Sequence, residues 1–78
     1  NKWRGLAWIA QQHGIATSRI AAIGDEVNDL AMLENAGCGI AMGNAVGQAK
    51  HRARYVTEIN QKDGVARAIE RLLSGEWR

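Results

Sequence analysis

An α/β fold built on a small parallel sheet is the architecture this sequence predicts. Three observations lead there. Short apolar runs alternate with amphipathic segments of about ten residues, the pattern of strands joined by right-handed helical crossovers. Punctuation falls to glycine, with 9 glycines and no proline in the chain. Hydrophobic residues make up 46% and charged residues 23%, a globular balance that excludes a disordered chain.

The elements follow in order. A first helix is expected over residues 2–13, where Trp3, Leu6, Ala10 and His13 recur at helical spacing with Ile9 beside them. Gly14 stands where a left-handed cap belongs. Residues 19–23 form a short apolar run ending at Gly24, a buried strand. The second helix, Asp29 to Ala36, places Leu30, Leu33 and Ala36 on one face, with Gly37 as its cap. Cys38 to Met42 is the second strand, followed by Gly43. Ala45, Ala49 and Ala53 mark the small-residue face of a third helix, and Tyr55 to Thr57 is a third strand. The last helix runs from Asp63 to Leu73 with Val65, Ile69, Leu72 and Leu73 inward, and ends at Gly75. Three short parallel strands thus alternate with four helices in one domain, residues 1–78, and at least one sheet edge wants a neighbour.

Composition narrows the function. No apolar run approaches ~18 residues, so no helix crosses a membrane. The opening Asn1-Lys2-Trp3-Arg4 has neither an apolar signal region nor a starting Met, which predicts a processed piece or fragment. A net charge of +2 is weaker than a dedicated nucleic-acid domain carries. The basic run Lys50 to Arg54 reads as a solvated helix face without interleaved aromatics for base stacking. One cysteine excludes an internal disulfide and fits a reducing cytoplasm. Burial also leaves little margin. Roughly 7,600 Å² is removable from water at this mass. At ~25 cal/mol per Å² over an apolar share of ~60%, that contributes about 115 kcal/mol. Ordering the chain at ~1.5 kcal/mol per residue costs about the same.

Chemistry concentrates in Gly24-Asp25-Glu26-Val27-Asn28-Asp29-Leu30, at the carboxyl end of the first strand. Ligands bind there in open parallel sheets. Asp25 leaves the strand first, and Asp29 falls on the same side once the helix begins. Such a carboxylate pair suits a hard cation such as Mg²⁺, and a helix N-terminus favours phosphate. A purely structural role fits the same residues: Asn28 or Asp29 caps the helix and Asp25 makes the turn.

The surroundings decide between them. Lys2 precedes an amphipathic helix and the break His13-Gly14-Ile15. The chain continues with Ile20-Ala21-Ala22-Ile23 into the acidic segment, then Ala31-Met32-Leu33 and Ala36-Gly37. Gly39 to Ala45, Tyr55-Val56-Thr57 and Asp63-Gly64-Val65-Ala66 complete the series. In this order and at these intervals, covering nearly the whole chain, it resembles the C-terminal part of the haloacid-dehalogenase-like (HAD) phosphatase core, Cof-type branch. P-type ATPases share a related acidic segment, but theirs continues with Pro where Met32 stands and has Gly where Glu26 stands.

That resemblance implies a partial Rossmann-like core and Mg²⁺-dependent hydrolysis of a phosphate monoester through an aspartyl-phosphate. By position, Lys2 matches the catalytic lysine that neutralises charge between nucleophile and phosphate. Asp25 matches the direct Mg²⁺ ligand, Asn28 the residue reaching the phosphoryl group, and Asp29 the carboxylate behind the metal that orients the lysine or a metal-bound water. Glu26 occupies a variable position with no role, and Asn44 reads as a cap of the next helix. His13, His51, Met32, Met42 and Cys38 read as structural. The family's nucleophile and general acid lie in an Asp-x-Asp, which this sequence does not contain, and its cap domain has no room here. Expected partners are a phosphorylated small molecule in the complete enzyme, and either a second copy or the absent N-terminal part. Alone, the chain is expected to be inactive, to hold Mg²⁺ weakly or not at all, and not to persist as a monomer. Two other classes stay open: a non-catalytic half-core that oligomerises, and a weak basic nucleic-acid binder.

Overall fold

β-Branched and small apolar residues in short runs make the strands, and the glycines between them let helices lie close against the sheet. The computed structural model describes the backbone of residues 1–78 and every side chain except that of residue 61. Along the chain run α1 (Lys2–Gln12), β1 (Ala21–Gly24), α2 (Leu30–Asn35), β2 (Cys38–Ala41), α3 (Gly47–Arg52), β3 (Tyr55–Val56) and α4 (Gly64–Ser74). Single 3-10 turns cover Thr17–Arg19, Val27–Asp29 and Asn60–Lys62. The strands are parallel in the order β1-β2-β3, with Ile23 opposite Ile40 and Ile40 opposite Tyr55. The predicted alternation of three strands with four helices is the observed architecture.

β2 is central, and all four of its residues are buried. Alternate side chains serve opposite layers. Gly39 faces α2, and a Cβ there would run into the Leu33 carbonyl, so the helix backbone lies directly on the strand. Cys38 and Ile40 face α4, where they pack with Ala68, and Ile23, Tyr55, Leu72 and Trp77 surround them. Trp77 stacks on Tyr55 with ring centroids 4.6 Å apart, and the Arg71 guanidinium lies 4.9 Å above its ring. Trp77, one residue from the chain end, is half-buried in this core. Burial pushes the Cys38 thiol up.

Several boundaries shift for local reasons. β1 starts at Ala21, because Arg19 and Ile20 return their N–H groups to Ala16 and Thr17 in a 3-10 turn. The second helical segment opens as a 3-10 turn and becomes α-helical at Leu30. Its end is not a left-handed glycine cap: Ala36 is extended at ψ 150°, and Gly37 is needed because a Cβ would strike the Ser18 carbonyl. Nor is Asn44 a helix cap. α3 begins at Gly47 with Val46 before it, while Asn44 reaches across to another loop. Ala49 is buried on α3, and Ala45 and Ala53 are half-buried.

The largest departure concerns α4. A helix usually buries its apolar stripe, but here Gly64, Ala68 and Leu72 face inward. Val65 and Ile69 remain exposed, and Leu73 is 84% exposed. The rotation is fixed from its other flank. Buried Thr57 Oγ1 donates to the Gly64 carbonyl at 2.7 Å, and Arg71 donates to both Glu58 oxygens at 2.7 and 2.6 Å. That grip holds the Glu58 pKa down at about 2. Val65 consequently faces the side of β1, whose outer edge carries no paired strand among the described residues. Accessible surface totals 5076 Å², against roughly 4,700 Å² for a folded monomer of this mass.

Candidate active site

The site grows from the turn after β1. The chain leaves the sheet at Gly24, and Asp25 is half-buried at the strand's carboxyl end. The next turn brings Asp29 back over Gly24, where it is only 3% exposed. A Cβ on Gly24 would lie 2.7 Å from Asp29 Cβ and 2.8 Å from its Oδ2. Glycine is therefore required for the close approach of the carboxylate to the strand, a packing role independent of backbone torsion.

Asp29 is buried but fully supplied with donors. Lys2 Nζ donates to Oδ1 at 2.8 Å, and the backbone N–H groups of Asp25 and Glu26 donate to Oδ2 at 3.0 and 3.1 Å. Burial alone would raise its pKa; the Lys2 ammonium and the two backbone donors outweigh that and hold it below the ordinary carboxylate value. The Lys2 pKa is raised by the hydrogen bond and charge of the same carboxylate. Lys2 itself is 57% exposed, so its remaining ammonium protons face solvent and any ligand. α1 delivers it: Asn1 caps this helix by accepting the Arg4 N–H at 2.9 Å, which fixes Lys2 at the helix start.

A depression of about 440 Å³ opens beside this pair. Its polar rim is Lys2, Asp25, Asp29 and Asn60, and Met32, Met42 and Val65 contribute an apolar wall. Of the residues singled out from sequence, Lys2, Asp25 and Asp29 come together. Asn28 is exposed on the 3-10 turn and stands outside this lining. His13 ends α1 and His51 is exposed on α3, both away from the depression. Asn60 had no signal in the sequence; no spacing linked it to Asp25, since only the sheet brings the loops after β1 and β3 to one depression.

The donor chemistry is of the hard-oxygen kind. Among the described residues no three His, Cys, Asp or Glu side chains converge to hold a metal. Asp29 already spends both oxygens on internal donors, which leaves Asp25 as the carboxylate available to a cation. One carboxylate with water and phosphate oxygens accords with how Mg²⁺ is usually bound.

Comparisons with known proteins agree with the fold. A family model described as haloacid dehalogenase-like hydrolase matches residues 1–69. The chain is 49% identical over 74 residues to the 5-amino-6-(5-phospho-D-ribitylamino)uracil phosphatase YitU of Bacillus subtilis, covering 95% of this chain and 27% of that protein. It is 44% identical over 77 residues to a phosphoglycolate phosphatase of Methanosarcina acetivorans, covering 99% of this chain and 34% of that protein. A haloacid dehalogenase-like hydrolase from Bacteroides thetaiotaomicron superposes with a TM-score of 0.90 at 44% identity, over 92% of this chain and 27% of that one. The chain therefore spans about a third or less of the curated relatives it matches.

Gly24→Ala is expected to lower stability by about 1–3 kcal/mol through overpacking against Asp29. Urea unfolding measures this. Asp29→Ala removes two of the three atoms the new methyl meets, so the double variant should lose less than the sum of the singles. Strict additivity would contradict the contact.

Proposed function

The chain belongs to the haloacid dehalogenase-like hydrolases, and from that premise we propose that it is the C-terminal portion of a Mg²⁺-dependent, Cof-type phosphatase core. The observation that carries this reading is the Lys2–Asp29 contact beside Asp25 at the carboxyl end of β1. An ammonium oriented by a buried carboxylate, next to a second carboxylate free for a cation, is an arrangement for holding a phosphoryl group. Lys2 binds and neutralises phosphoryl oxygens, Asp25 holds the cation, and Asp29 keeps Lys2 in place. Asn28, the residue the resemblance assigns to the phosphoryl group, is exposed on the same turn, outside the depression. Mg²⁺ bound at Asp25 supplies charge neutralisation to that group. The substrate is a phosphorylated small molecule, as it is by name for the YitU relative.

The attacking group is absent. The sequence has no Asp-x-Asp, so positioning without a nucleophile leaves little rate enhancement. The isolated chain, in the cytoplasm this reading implies, is therefore inactive. Aryl phosphate assayed with Mg²⁺ and the pure chain should show no hydrolysis above buffer. Robust turnover that Asp25→Asn abolishes would overturn this.

A second reading is favoured by the exposed stripe Val65, Ile69 and Leu73, of which Val65 lines the depression with Ile23 and Gly24 of β1. The chain associates there, with a second copy or with the remainder of the core. If it pairs with itself, its melting temperature rises with protein concentration. Light scattering at 8.5 kDa together with a concentration-independent cooperative melt would contradict it.

A further inference from the structure

The loops at the carboxyl ends of the three strands are tied together by residues 43–46, which have no part in the reading above. Val46 N–H donates to the Asp25 carbonyl at 3.1 Å, joining this segment to the loop after β1. Gly43 N–H donates to the Glu58 carbonyl at 3.2 Å, joining it to the loop after β3. Asn44 Oδ1 accepts the Asn60 N–H at 3.2 Å across 16 residues of sequence. The Asn60 carbonyl in turn accepts the Asp63 N–H at 3.1 Å. The Asn60 backbone is thus engaged through both donor and acceptor. Its side-chain amide makes no hydrogen bond among the described residues, and Asn60 lies on the rim with Lys2 and Asp25.

We propose that Asn44 is a positioning residue that sets Asn60 against Asp25, so that the Asn60 side-chain amide serves as an additional hydrogen-bond donor to the oxygens of a phosphorylated ligand. The proposal rests on the phosphatase reading of the site. Asn44 suits the task because its oxygen is not spent on α3, which starts three residues later. A neutral amide at Asn60 donates to anionic oxygen without competing with Lys2 for Asp29. Both asparagines are exposed, so replacing either leaves the core intact.

The test is NMR on the 78-residue chain, comparing wild type with Asn44→Ala, Asn44→Asp and Asn60→Ala. Asn44→Ala should speed hydrogen exchange of the Asn60 amide roughly tenfold by removing its acceptor. Asn44→Asp, which keeps an acceptor oxygen, should restore most of the protection. Titration with inorganic phosphate in the presence of Mg²⁺ should shift the Asn60 side-chain amide and Lys2 in wild type. In Asn44→Ala the Asn60 response should fall while the Lys2 response stays. Unchanged exchange in Asn44→Ala, or an Asn60 amide that ignores phosphate while Lys2 responds, would overturn the proposal. If neither Lys2 nor Asp25 responds, the phosphatase reading fails and takes the ligand contact with it; the exchange comparison then still decides whether Asn44 holds Asn60.

Discussion

A buried carboxylate must be given hydrogen-bond donors or it destabilises the fold, and at Asp29 they come from two parts of the chain. The turn after β1 supplies two backbone N–H groups, and α1 supplies the Lys2 ammonium from 27 residues away. Meeting this demand places α1 beside α2, sets the turn that exposes Asp25, and forces glycine at the end of β1. One acid-base contact therefore connects the packing of the helical layer with the composition of the site.

The other sheet face is organised by a different contact. Arg71 grips Glu58 and covers Trp77, while Thr57 holds the start of α4. These contacts lie on the inner side of α4, while Val65, Ile69 and Leu73 on its other side stay exposed. The result is an exposed apolar flank whose Val65 end lies at the depression, near β1, the strand with no neighbour on its outer side among the described residues. The depression and this apolar flank are thus neighbours, joined at Val65.

Much of this was legible in the sequence, for local reasons. Gly24-Asp25 and Asp29 announced the turn, because a glycine, a strand end and a helix start fall within six residues. The alternation of elements was equally plain from the apolar runs. What stayed hidden depends on contacts across the sheet. The α4 pattern pointed to Val65 and Ile69 as core, whereas the rotation is decided by Thr57 and Arg71. Asn44 looked like a cap because it precedes a helix, but its oxygen serves Asn60. Asn28, read as a site residue from its place in the motif, is exposed on the turn and outside the depression.

The central claim is that the Lys2 ammonium holds Asp29 ionised inside the fold. A folded pKa below the unfolded one gives stability that is present above the unfolded value of about 3.9 and lost as pH falls through the folded value. For Lys2 the sign reverses: its raised pKa gives stability present below about 10.4 and lost as pH rises through the folded value. Carbon-13 titration of the side-chain carboxyls, followed in wild type and Lys2→Met, measures this directly. The account predicts that Asp29 titrates below the ordinary aspartate range and that Lys2→Met moves its midpoint upward. An Asp29 that titrates at or above the ordinary value, or that is indifferent to Lys2→Met, would contradict it.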